Sequence, residues 1–268
     1  MTKNSLSLKT AAVAVALSAG NLSAANLQLT ITNITFGGYF TPLLISAHEK
    51  DEQQQLFSLG SDAQDFDGVE AMAELGDISM LAARVQSYGA TTKANPVPNA
   101  GSAITMGGAN FLIPGGSVTV SLNTTAAQKY LSVAAMILPS NDAFVGLDSY
   151  AIPSEEGVYK VYLNAYDAGT EINTETVKDP YDLNEKRAAI DSLGIPAPSF
   201  LGLGSSGTGV AKASNPNSVD EGGKIHIHPS NLGDFDQQGG ISDMNAKAHR
   251  FNNPVALVTI RVGVDDED

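Results

Sequence analysis

Neither cysteine nor tryptophan occurs in the 268 residues, and each absence closes off chemistry. Without thiols there is no disulfide framework, no thiolate metal site and no cysteine nucleophile. Without tryptophan the chain is short of the large aromatic platforms that hold sugars. Basic residues are scarce as well: 15 Lys and Arg stand against 29 Asp and Glu, a formal charge of −14. Phosphate contacts need clusters of Lys and Arg, so nucleic acid is excluded as a natural partner, whereas a divalent cation suits this balance. No apolar run approaches the roughly 20 residues of a membrane-spanning helix. The apolar stretch Ala11 to Ala19 follows Lys3 and Lys9 and precedes the small residues Ser23-Ala24-Ala25. That pattern predicts residues 1–25 as an export signal, leaving 26–268 as one domain, periplasmic or secreted, with a charge of about −16.

What is present reads as strands. Leu27, Leu29 and Ile31 alternate with polar residues, and Val118, Val120 and Leu122 do the same after the turn Pro114-Gly115-Gly116, the period of half-buried strands. Tyr130 to Leu138 is nearly continuous apolar sequence and predicts a central strand packed on both faces. Val158–Leu163, Lys224–His228 and Val255–Val264 complete an all-β, sandwich-like set. One segment departs from it: Asp67 to Tyr88 carries Val69, Met72, Ala73, Leu75, Leu81 and Val85 at helical spacing, with Gly76 as a stop and Asp67 and Asp77 as candidate caps. Residues 182–223 are rich in Gly, Ser and Pro and predict a long surface insertion.

Two acidic loops follow apolar strands. The first, "PSNDAFVGLD", offers Asn141 and Asp142. The second, "YDAGTE", places Asp167 and Glu171 four residues apart around Gly169. A hard ion such as Ca²⁺ takes about six to eight oxygens at ~2.3–2.6 Å, and loops at one end of a sandwich can supply them. Asp and Asn also bond their own backbone in ordinary turns, so spacing leaves both readings open. His226 and His228 lie on one strand face and suit Zn²⁺ or Cu²⁺ if a third ligand arrives from elsewhere; structural hydrogen bonding is the alternative. The segment from Asp234 to Asn245 imitates a calcium loop but ends in Asn245 rather than Glu. Catalysis finds no support in a nucleophile elbow or a phosphate loop, and the expectation is a protein that is not an enzyme.

The stretch "ITNITFGGYFTPLLISAHEKDEQQQLFSLG", with Phe40-Thr41-Pro42, His48 and Leu56-Phe57, resembles the opening of the spondin-type domain, the F-spondin amino-terminal family. "LSVAAMILPSNDAFVGLD", "YDAGTEIN" and "NNPVALVTIRV" are similar to its central and closing stretches, over about residues 26–264. The resemblance implies a C2-like antiparallel β-sandwich with calcium at one end. It further implies Asp142 and Asp167 as carboxylate ligands, a backbone carbonyl near Leu163, Glu171 at a position often held by Asp, and neighbouring Asn141. Animal relatives act in cell adhesion, which implies a protein or glycan surface as partner. This chain differs in its lack of cysteine, in Ala143 and in the 182–223 insertion. Two other readings remain: an exported metal-dependent hydrolase or redox protein using His226 and His228, and a passive structural protein of the envelope or matrix.

Overall fold

The computed structural model describes residues 25–106, 109–171, 173, 175, 223–235, 242 and 244–263. Its strands are β1 (Asn26–Asn33), β2 (Tyr39–Phe40), β3 (Leu44–His48), β4 (Thr91–Ala94), β5 (Ala103–Met106), β6 (Ala109–Leu112), β7 (Ser117–Asn123), β8 (Tyr130–Leu138), β9 (Ala143–Ala151), β10 (Gly157–Asp167), β11 (His226–Ile227) and β12 (Ala256–Val262). Helices α1 (Val69–Leu75) and α2 (Ser79–Ser87) lie between β3 and β4. The expected signal lies outside the described residues except for Ala25, as does the 182–223 insertion except for Gly223, and most of the Asp234–Asn245 loop.

The strands form one curled antiparallel sheet, β5-β6-β2-β8-β9-β10-β12-β1-β7, with β11 added to β10 and β3-β4 added to β8. The curl turns on β10. Its first half, Gly157 to Leu163, pairs with β12, while Asn164 to Asp167 pair with β9. Two layers therefore face each other, and the alternation read from sequence decides what lies between them. Leu27, Leu29 and Ile31 of β1 and Val258 and Ile260 of β12 meet Val133 and Ala135 of β8 and Val145 of β9. Each such Leu, Ile or Val side chain contributes roughly 1.5–3 kcal/mol when fully buried.

The opposite face of the β8–β9 layer is covered by the helices. Met72, Leu81 and Val85 pack with Leu44, Ala134, Phe144 and Phe57, and the Phe57 and Phe144 rings meet edge to face at 5.0 Å. The continuous apolar run of β8 is thus explained by burial on both faces, as expected. Gly76 ends α1 in the left-handed region at φ 70°, as its place in the sequence predicts. Neither candidate cap occupies the cap position, which is Gly68 in α1 and Ile78 in α2, although Asp77 accepts the Ser79 N–H at 2.9 Å.

Three boundaries near the acidic residues differ from expectation. β9 begins at Ala143, so the first acidic loop shrinks to the turn Pro139–Asp142. β10 continues to Asp167 instead of ending at Leu163, because it gains β9 as a new partner where it leaves β12. Only His226 and Ile227 of the Lys224–His228 segment are strand.

Candidate metal centre

The site is assembled from a turn, a strand end and a short added strand. After β8 the chain turns tightly, with the Ser140 hydroxyl donating to the Ile137 carbonyl and accepting the Ala143 N–H. Ser140, Asn141 and Asp142 are all buried in that turn. The Asp142 carbonyl accepts the Ala168 N–H at 3.2 Å, which locks the turn to the end of β10. Register does the rest: Asp167 lies opposite Ala143 on one side and opposite His226 on the other.

The loop after β10 curls around the Asp142 carboxylate. Asp142 Oδ2 accepts the N–H groups of Thr170 and Glu171, each at 3.0 Å, and Asp167 Oδ1 accepts the Gly169 N–H at 2.7 Å. Gly169 is required twice over. Its φ is +71°, and a Cβ there would lie 2.7 Å from the Lys224 carbonyl oxygen, so a side chain would push away the segment leading into β11.

Asp142 and Asp167 are fully buried and Glu171 nearly so. Asp142 Oδ1 has no hydrogen-bond partner among the described residues. Burial, then the charges of Asp167 and Glu171, push the Asp142 carboxyl well above the ordinary carboxylate range, against the amide hydrogen bonds from Glu171 and Thr170. A buried, unpartnered carboxylate oxygen costs several kcal/mol unless a proton or a cation neutralises it. Lys224, two residues before His226, is engaged with Asp62 at 2.9 Å.

The imidazoles arrive from β11. His226 Nε2 lies 3.9 Å and His228 Nε2 3.8 Å from Asp167 Oδ2, and Asn173 Nδ2 donates to the same oxygen. The carboxylate pair and the histidine pair, separate constellations in the sequence, are therefore one cluster. The signal that could have joined them is the alternation of "KIHIH", which places both rings on one face, but only the β10–β11 register says which face and beside what. Among the described residues no three His, Asp or Glu groups already stand as a finished ligand set; an ion would have to draw the side chains inward.

Leu163 does not join the cluster. Its carbonyl accepts the Val255 N–H at 2.8 Å, four residues from Asp167 and so roughly 13 Å away along the strand. Asp234 Oδ2, in the imitation calcium loop, accepts the Ser242 N–H at 3.0 Å. His48 and His249 also lie apart. His48 bonds Ser132 and the Glu49 carbonyl, and His249 Nδ1 accepts the Asn245 N–H.

The fold and site define a class: an all-β, sandwich-like domain whose loops gather buried carboxylates at one end. The Spondin_N family model, the spondin N-terminal domain, matches residues 33–199, more than half of the chain. The chain belongs to the spondin N-terminal domain family and is a spondin-type extracellular domain. The match is shorter than the span expected from resemblance, and it ends before His226 and His228. No curated protein matches the chain. Among the described residues no helix is long and apolar enough to cross a membrane.

Proposed function

We propose that this is an exported binding or adhesion domain whose end loops are organised by a calcium ion held by Asp142, Asp167 and Glu171, with Asn141 in the adjoining turn. The observation that carries this reading is Asp142 Oδ1, buried without a partner beside two further carboxylates. The residues fit a hard cation: three carboxylates offer acceptor oxygens from two chain segments that an ion would tie together. A bound calcium would supply positive charge there, and the chain's own amides from Thr170 and Glu171 hold the Asp142 carboxylate in place.

The recognition surface is the apolar rim around this end. Phe36, Leu232 and Phe235 are 78 %, 66 % and 77 % exposed. Phe36 lies on the loop leading into β2, whose Tyr39 pairs with Leu138 just before the acidic turn. Leu232 and Phe235 follow β11, the Asp234 carbonyl between them accepts the Ala246 N–H at 2.9 Å, and Gly37 abuts the Ala248 backbone, which brings the two loops together. Exposed aromatic side chains on loops set by a rigid frame are suited to a protein or glycan surface.

Thermal melts with calcium and with chelator test the reading. Calcium at about 100 times its dissociation constant adds about 2.7 kcal/mol, hence about 5–10 °C in the midpoint for a domain of this size. An unchanged midpoint in both the native chain and an Asp142→Ala/Asp167→Ala double variant would count against a calcium site. Binding to immobilised matrix and polysaccharide fractions, lost in a Phe36→Ala/Phe235→Ala variant, separates an adhesive domain from a passive structural one.

A further inference from the structure

We infer that the same end of the sandwich also takes a first-row dication such as Zn²⁺, through His226 Nε2 with the Asp167 and Asp142 carboxylates, and that His228 positions Asp167 without ligating. The inference rests on the cation reading above for the carboxylates and adds a nitrogen ligand from residues beyond the family match.

Hydrogen-bond partners fix the two rings differently. His226 Nδ1 lies 2.8 Å from the Lys224 carbonyl oxygen, which can only accept. The ring proton is therefore on Nδ1, and Nε2, which keeps the lone pair, lies 3.9 Å from Asp167 Oδ2. An imidazole that donates its other N–H to a backbone carbonyl is the usual outer support of a metal-bound histidine. His228 is the reverse. Its Nδ1 accepts the Ser230 N–H at 3.0 Å, so the neutral ring carries its proton on Nε2, 3.8 Å from Asp167 Oδ2. Its side chain is 1 % exposed and its ring packs 5.3 Å from Phe251, which holds it in that orientation.

The 3.9 Å between His226 Nε2 and Asp167 Oδ2 is a separation that two ligands of one small ion can adopt. Zn–N and Zn–O bonds are about 2.0–2.2 Å, so an ion between the two groups fits with little movement. The chemistry of the donor set decides the class: calcium takes oxygen, whereas imidazole with carboxylate suits zinc and its first-row neighbours. Asp142 Oδ1, buried without a hydrogen-bond partner among the described residues, is the third donor, which the ion would draw inward. His226 is part-exposed, its side chain 22 % accessible, so the site is reachable from its side.

Calorimetric titration of the untagged full chain with ZnCl₂ and separately with CaCl₂ tests this, with far-UV circular dichroism confirming that each variant folds. His226→Ala should weaken zinc more than about 100-fold, since losing a ligand exceeds the 10- to 100-fold cost of losing an outer partner. It should change calcium by less than about three-fold, because calcium does not need the nitrogen. His228→Ala should leave zinc within about 100-fold of the native chain, and Co²⁺ bound in its place should keep the same visible absorption bands. His226→Gln serves if the alanine variant does not fold. Zinc affinity that survives loss of His226, or that falls further with His228→Ala than with His226→Ala, overturns the inference while leaving the calcium reading intact. Failure of both ions to bind overturns both.

Discussion

The β8–β9 pair carries a buried polar cluster at each end, and the two are built on opposite terms. At one end His48 is closed off. Its Nδ1–H donates to the Glu49 carbonyl at 2.7 Å, its Nε2 accepts the Ser132 hydroxyl at 2.8 Å, and Ser132 in turn accepts the Ser149 N–H at 2.9 Å. Ser132 stands where the β8–β9 register shifts between Leu131 and Val133, so its hydroxyl satisfies groups that the ladder leaves behind. At the other end Asp142 shares the same two strands, yet one carboxylate oxygen is unmet and two more carboxylates crowd it. A satisfied network rigidifies a fold; an unsatisfied one marks where something else belongs.

The largest expected effect comes from the open end. Gly169→Val places a Cβ against the Lys224 backbone at positive φ, costing about 2–5 kcal/mol from the conformation and the overlap together. The midpoint of a far-UV melt should fall by roughly 5–15 °C, with zinc binding lost as β11 shifts. A fall of under about 2 °C would mean that β11 is not held by this approach.

Next is the closed end. Ser132→Ala leaves His48 Nε2 and the Ser149 N–H unmet and should cost about 1–3 kcal/mol, equally with calcium or chelator. A calcium-dependent cost would erase the distinction between the two ends. Asp142→Asn should act in the opposite direction: without cations it replaces a carboxyl whose ionisation burial and its neighbours oppose and stabilises by about 1–2 kcal/mol, while the calcium response disappears. A melt in chelator that shows this variant less stable than the native chain would mean that Asp142 is satisfied as it stands.

The smallest effect is on pH dependence. Burial lowers the His48 pKa against the pull of the Glu49 carbonyl, Asp148 and Asp51, so the folded state disfavours the charged ring. Its contribution to stability is complete above its ordinary value of 6.5 and is lost as pH falls from there through the lowered folded value. Burial raises the Asp148 pKa, which works in the reverse sense: stability is greatest below 3.8 and is lost as pH rises through the folded value. Denaturant midpoints of His48→Gln, measured downward from neutral pH, should lack the decline that the native chain shows below about 6.5. A slope identical in both would assign that decline to another group.

Much of the frame was legible without coordinates. Alternation along β1 and β7 named the buried faces, the unbroken apolar run of β8 named a strand covered on both sides, and Gly76 named the end of a helix. The acidic turns were legible as ligand-type chemistry. Strand ends were less so, because β10 reaches Asp167 only by exchanging β12 for β9, and a change of partner leaves no mark on local periodicity.

What the sequence by itself determined is therefore each residue's face, charge and turn-forming tendency, all properties of neighbours a few positions apart. The tertiary structure alone decided that Asp142 loses water on both oxygens and finds amides for one. It also decided that Leu163 is tied to Val255, and that His226, remote in the chain, stands across from Asp167. Those facts depend on strand register over long separations, and register is fixed by packing of the whole sheet rather than by any local stretch.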